Sequence, residues 1–136
     1  MSLFRIFEIA GSGMNAQTVR LNVTASNVAN ADNVSGDAAS AYRARQPVFS
    51  SFADAMNGNE NPAVRVLGIV ESKADIATRY APDHPNANDE GYVFSSNVNA
   101  IEEMVNMLSA SRSYQNNIEV INTSKELLMR TLSMGQ

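Results

Sequence analysis

Apolar residues recur at Leu3, Phe7, Ala10, Met14, Leu21, Ala25 and Val28, in three- and four-residue steps broken once, where Gln17 or Thr18 falls on the stripe. That spacing predicts an amphipathic helix from Leu3 to Val28 with a narrow, coiled-coil-like seam. Gly11 and Gly13 each cost such a helix about 1 kcal/mol relative to alanine, so it needs a partner to bury the seam. A second series closes the chain: Met104, Met107, Ser111, Tyr114, Ile118, Ile121, Lys125, Leu128 and Leu132, widened by Leu108 and Met129. Asn99 stands where a helix wants a side-chain cap. Glu102 follows three residues later as in a capping box, and with Glu103 it sets negative charge at the positive end of the dipole. Arg130 suits the last turn and Gly135 the C-terminal cap. At 1.5 Å per residue this helix is a rod of about 50 Å, longer than a compact domain of this size requires.

Between the helices the period changes. Asp32 to Ser40 is a small-polar loop, Tyr42 to Phe52 reads as extended around Pro47, and Val64 to Val70 and Ile76 to Tyr80 read as strands. Asn57-Gly58-Asn59-Glu60-Asn61-Pro62 is a turn cluster, Ala81 to Gly91 a loop with two prolines, and Tyr92-Val93-Phe94 closes the section. The expected fold class is α+β: two long N- and C-terminal helices packed as a coiled-coil-like hairpin, carrying a small β-rich middle insert. In domain terms, residues 1–33 and 98–136 form one helical core and residues 34–97 the insert.

Composition narrows the function. The 136 residues carry a net charge of −4, only 18% charged and 7% aromatic side chains, no Cys, no Trp and one His. An acidic balance without clustered Lys and Arg excludes a nucleic-acid footprint. Without Cys there is no disulfide framework, thiolate nucleophile or Cys-ligated zinc, and a single His cannot form a histidine metal cluster. No cofactor is expected. No apolar run of ~20 residues is present to span a bilayer, and Met1 to Ile9 has neither the uninterrupted apolar stretch nor the cleavage site of a secretory signal. Taken alone, that places the chain in the cytoplasm.

Candidate chemistry is sparse. His84, in Pro82-Asp83-His84-Pro85, has an acidic neighbour, but adjacent residues rarely orient one another as a base pair requires, and a solvent-exposed loop histidine is the expectation. Leu3, Phe4, Ile6, Phe7 and Ile9 are apolar on more than one helix face; with Arg5 the only base among them, burial between neighbouring helices is expected rather than membrane insertion. Ala25 and Ala29 lie one turn apart beside a polar strip of Asn22, Ser26 and Asn30. This fits either close helix approach with amides bridging a neighbour's backbone, or a frayed helix end where Asn and Asp favour turns. With its best core material at opposite ends, the chain reads as an assembly subunit or as a helical-hairpin adaptor for a partner's amphipathic helix. An enzyme comes third.

The run Leu21-Asn22-Val23-Thr24-Ala25-Ser26-Asn27-Val28-Ala29-Asn30-Ala31 resembles the N-terminal signature of the bacterial flagellar axial proteins, the rod, hook and hook-associated group. Asn97-Val98-Asn99, Glu102 to Asn106 and Ser111 to Asn117 are similar to the closing helix of the same group. Ala41 to Phe49, and Tyr80 to Pro85 leading to Gly91-Tyr92-Val93, resemble its short proximal-rod members, and Ser51 to Asn61 is the least typical stretch. The resemblance implies a non-enzymatic subunit of the flagellar rod, passed unfolded through the flagellar type III export apparatus. That reconciles the missing signal with a periplasm-spanning destination and overrides the cytoplasmic expectation. Implied partners are other proximal and distal rod proteins and the MS-ring and export-gate junction proteins, assembled as a helical array without membrane insertion or nucleic acid. The residues expected to pack in that assembly are Leu3, Phe7, Met14, Leu21, Ala25, Ser26, Asn27, Val28, Ala29 and Asn30 on the first helix, and Met104, Leu108, Tyr114, Ile118, Ile121, Leu128 and Leu132 on the second.

Overall fold

The computed structural model describes residues 3–54 and 59–135; the side chains of Leu3, Phe4 and residues 52–62 lie outside that description. Two helices, α1 (Leu3–Ala29) and α2 (Ala100–Met134), flank strands β1 (Val34–Ser35), β2 (Arg45–Asp54), β3 (Asn59–Glu71), β4 (Thr78–Tyr80) and β5 (Tyr92–Ser95). The α+β expectation of two terminal helices around a small β-rich middle is met.

Helix α2 starts where the capping pattern puts it. Asn99 is extended (φ −93°, ψ 105°), and its Oδ1 accepts from the amides of Ile101 and Glu102 at 3.1 and 3.3 Å. That satisfies two of the four amide groups a helix start leaves open. At the far end the Gly135 amide donates to Leu132 O. No basic residue falls in the last turn, so Arg130 sits short of its expected place.

The helices pack antiparallel in a definite register. A Cβ on Gly13 would come 3.0 Å from Asn117 Nδ2, Arg20 Nη2 lies 3.5 Å from Asn106 Oδ1, and Asn27 Nδ2 donates to Glu103 Oε2 at 3.0 Å. Fourteen residues separate Gly13 from Asn27, and fourteen separate Asn117 from Glu103. By the same register the last turns of α2, with exposed Met129, Leu132 and Met134, run on past the start of α1.

This seam shares only Ala10 with the apolar stripes that the spacing predicts. Facing positions on α1 are Ala10, Gly13, Gln17, Arg20, Thr24 and Asn27; on α2 the positions recurring at sevens, Glu103, Ala110, Asn117 and Ser124, are the most buried or lie against α1. Small side chains let the backbones approach, and amides and hydroxyls fill the interface. At 100° per residue, both apolar stripes are turned by roughly 70° from the line of contact. Phe7, Met14, Leu21, Tyr114, Ile118, Ile121 and Leu128 therefore end half-buried at the margin, while Met104, Leu108 and Leu132 face out. The apolar period holds along both helices, but the helix rotation depends on which residues permit the closest approach.

Strands β2 and β3 form a long antiparallel ribbon from Arg45↔Glu71 to Asp54↔Asn59. Gly68 pairs with Val48 and Val66 with Phe49, which leaves Leu67 as the extra residue of a bulge. Because β3 begins at Asn59, the Asn59 to Pro62 part of the expected turn cluster is strand, and residues 55–58 lie outside the described residues. The ribbon crosses α1. Near one end Asn27 holds Arg45 of β2; toward the other, the Val64 amide of β3 donates to Ser12 Oγ at 3.1 Å. Buried Ala16 and Val23 lie on the stripe of α1 between those anchors.

The second sheet has the order β1–β5–β4, all antiparallel. Its centre is Val93, wholly buried. Strand β1 lies inside the segment expected to be only a loop, pairing Val34 with Ser95 and Ser35 with Phe94. Gly91 (φ +78°) turns the chain into β5, and a Cβ there would sit 2.9 Å from the Tyr80 ring.

Candidate functional site

The most constrained polar group among the described residues is the Asn27 side chain, 0% exposed near the end of α1. A carboxamide has two N–H donors and two lone pairs, and all four are used. Nδ2 donates to Arg45 O at 2.8 Å and to Glu103 Oε2 at 3.0 Å; Oδ1 accepts from Arg45 N at 2.9 Å and from Tyr42 Oη at 3.0 Å. Toward Arg45 the amide supplies one donor and one acceptor, as a neighbouring strand would, so it closes the free edge of β2 where the ribbon begins. Toward Glu103 it meets a carboxylate that α2 holds buried in its first turn. One side chain thereby ties together α1, the ribbon and α2.

Its neighbours repeat the device. Tyr42 Oη also lies 3.2 Å from Ser26 Oγ, and the Arg45 guanidinium stands 5.5 Å from the Tyr42 ring centre. Asn97 accepts from Ala44 N at 2.7 Å and donates to Ala74 O at 3.0 Å, joining the entry and exit segments of the ribbon. Asn30 donates back to Ser26 O at 2.8 Å and accepts from Asn33 at 2.7 Å, so the end of α1 is ordered by its own amides rather than frayed. The exposed Arg45–Glu71 pair at 3.3 Å adds little, because solvent screens it.

The other notable surface is apolar and open. Leu21 of α1 with Met104, Met107, Leu108 and Ser111 of α2 lines a shallow groove of about 360 Å³. Met104 is 56% and Leu108 54% exposed, and Ile101 extends the patch. Leu21 points 120–180° around α1 from Ser12, Ala16, Val23 and Asn27, so this groove opens on the side away from the ribbon.

The expected packing residues are thus divided. Asn27, with Ser26 and Asn30 beside it, forms the junction; Val28 is half-buried, and Ala25 and Ala29 are exposed. Tyr42, Arg45, Asn97 and the carboxylate of Glu103 were not anticipated as members of the junction. Only the density of Asn near the element ends hinted at them. His84 holds its own loop, its Nδ1 accepting from Asn86 N at 3.1 Å. No group of His, Asp and Glu that could hold a metal ion occurs among the described residues, and no described helix is long and apolar enough to cross a membrane.

A chain whose helix interface is polar and whose apolar side faces outward belongs to the class of proteins completed by their neighbours. Comparison with known proteins gives the class its family. Residues 7–36 match the family described as flagella basal body rod protein, and residues 89–134 match the flagellar basal body rod FlgEFG protein C-terminal family. Over its whole length, and the whole length of each relative, the chain is 50% identical to flagellar basal-body rod protein FlgC of Salmonella typhimurium and of Yersinia enterocolitica, and 48% identical to that of Escherichia coli O6:H1. The chain belongs to the flagellar basal-body rod protein family. It is a structural rod subunit of the flagellar basal body, as its sequence resemblance implied.

Proposed function

We propose that this subunit is non-catalytic, is exported unfolded by the flagellar type III apparatus, and enters the rod by packing the open apolar side of α1 and α2 against neighbouring axial subunits. The neighbours are proximal and distal rod proteins and the proteins of the MS-ring and export-gate junction. In this reading residues 1–33 and 98–136 are the axial core, residues 34–97 brace it, and the apolar positions from Phe7 to Val28 and from Met104 to Leu132 supply the contacts. Neither lipid nor nucleic acid takes part.

The observation that carries the proposal is the outward rotation of both apolar stripes. The ribbon and the overhanging end of α2 leave further surface uncovered beside those stripes. The chain exposes 9404 Å², whereas a compact protein of its mass, 14.7 kDa, exposes roughly 6,900 Å². The excess of roughly 2,500 Å² equals about three faces of the ~800 Å² that a standard interface takes from each partner. Large apolar side chains in those faces contribute about 1.5–3 kcal/mol each when a neighbour covers them.

Leu108→Asp tests this directly. Leu108 is already half in water, so a carboxylate there costs the isolated chain little, but it would be desolvated on assembly. The expected result is a normally expressed chain that is lost from purified basal bodies, with reduced motility, while Asp37→Ala on an exposed loop is incorporated normally. Equal incorporation of the two variants would refute the role given to this face.

A further inference from the structure

Sulfur occurs in this chain in one form only. There are seven methionines and no cysteine, so a peroxide meets thioethers and no thiol. Among the described residues Met14 and Met107 are half-buried, whereas Met104, Met129 and Met134 are 56%, 63% and 84% exposed. Oxidation follows access to the sulfur. Of the exposed three, Met104 alone also lines the apolar groove, with Leu21, Met107, Leu108 and Ser111.

We infer that Met104 is a site of oxidation by peroxides and that its sulfoxide bars the subunit from the rod. The inference rests on the reading above, in which this open face packs on neighbouring axial subunits, whichever neighbour covers it. In the step itself an S–O bond forms and the peroxide O–O bond breaks. Sulfur loses two electrons, and the departing oxygen takes up the proton of the transferred one and leaves as water. The product is polar where the groove is apolar. In the free chain water satisfies the new oxygen, so the fold is kept. Under a neighbour the oxygen needs a donor, and the groove offers none close by: Leu21, Met107 and Leu108 have no side-chain donor, and Ser111 stands seven residues, about 10 Å, further along α2. The oxidised chain is therefore disfavoured only in the assembled state. Methionine sulfoxide reductases regenerate the thioether, which makes the block reversible. Met134 supplies an internal control, since it is the more exposed of the two and lies beyond Leu132, the last position given a contact.

The full chain treated with dilute hydrogen peroxide, digested and mapped by mass spectrometry, should form sulfoxide at Met104 and Met134 several-fold faster than at Met14 and Met107. Equal rates at Met104 and Met107 would overturn the assignment of the site. For its consequence, the chain is expressed first in cells lacking methionine sulfoxide reductases, pulsed with limiting peroxide and quenched before the other flagellar proteins are induced. The ratio of Met104 sulfoxide to Met134 sulfoxide is expected to be roughly tenfold lower in purified basal bodies than in unincorporated periplasmic chain. An unchanged ratio, with Leu108→Asp still excluded from basal bodies, would overturn the inference alone. An unchanged ratio with Leu108→Asp incorporated normally would overturn the reading on which it rests as well.

Discussion

Substitutions at Asn27 test the junction in quantitative terms. In Asn27→Leu four hydrogen bonds of 3.0 Å or less disappear. A neutral hydrogen bond contributes about 0.5–1.5 kcal/mol and one to a charged group about 1.5–3. Three of the orphaned groups find partial relief, the Tyr42 hydroxyl at Ser26 and the amide and carbonyl of exposed Arg45 at solvent, while the buried Glu103 carboxylate loses a charge-assisted donor. The expected loss is about 3–4 kcal/mol, a large share of the 5–15 kcal/mol typical of a domain.

Asn27→Asp keeps the shape and reverses one donor, bringing two carboxylates to about 3 Å, where their repulsion at an effective dielectric near 20 is about 5 kcal/mol. One carboxyl of the pair should then retain its proton in the folded chain well above the usual carboxylate range. The folded state therefore binds one more proton than the unfolded state between pH 7 and the ordinary carboxyl pKa. Stability should rise as pH falls, by about 1.4 kcal/mol per unit. Urea unfolding of the full chain at pH 7 and pH 5, followed by circular dichroism, measures both variants against the parent. Two results would refute the reasoning: Asn27→Leu within about 1 kcal/mol of the parent, or an Asn27→Asp deficit that is the same at both pH values.

Three further outcomes follow from the packing. Gly11→Ala, where an added Cβ meets nothing within 4 Å, should stabilise the chain by up to ~1 kcal/mol, whereas Gly13→Leu, at the 3.0 Å approach to Asn117, should destabilise it by about 1–3 kcal/mol; thermal unfolding of both distinguishes close approach from mere helix propensity. Gly91→Ala forces a non-glycine residue to φ +78° and into Tyr80, and should cost at least ~1–2 kcal/mol, read as faster amide exchange in β4 and β5. In the free chain, amides of α2 near Glu103 and Ala110 should be protected and those from Met129 to Met134 should exchange rapidly, because the last turns have no α1 beside them; uniform protection along α2 would contradict the register.

The two helices, the cap at Asn99 and the main strands follow from sequence because their causes are local. Period, propensity and a side-chain oxygen at a helix start act over a few residues, and they hold wherever the element sits. The same locality explains the failures. Heptad spacing reveals that Leu21 and Leu108 share a stripe with their neighbours on each helix, but it does not reveal how far each helix is turned. Gly13 against Asn117 and Asn27 against Glu103 decide that rotation, and those pairs are far apart in the chain. Strand β1 is not legible in the sequence because two residues give no period, and it exists only through its pairing with β5. Asn27 is marked by its motif, yet its four hydrogen bonds reach three residues up to 76 positions away, and only their convergence makes it a junction rather than the end of a helix. Sequence alone determined that this chain has two long helices with more apolar surface than a polar middle can cover. Tertiary structure decided which side of those helices stays open, because the polar seam wins the interior by close approach and hydrogen bonding and leaves the apolar stripes outside.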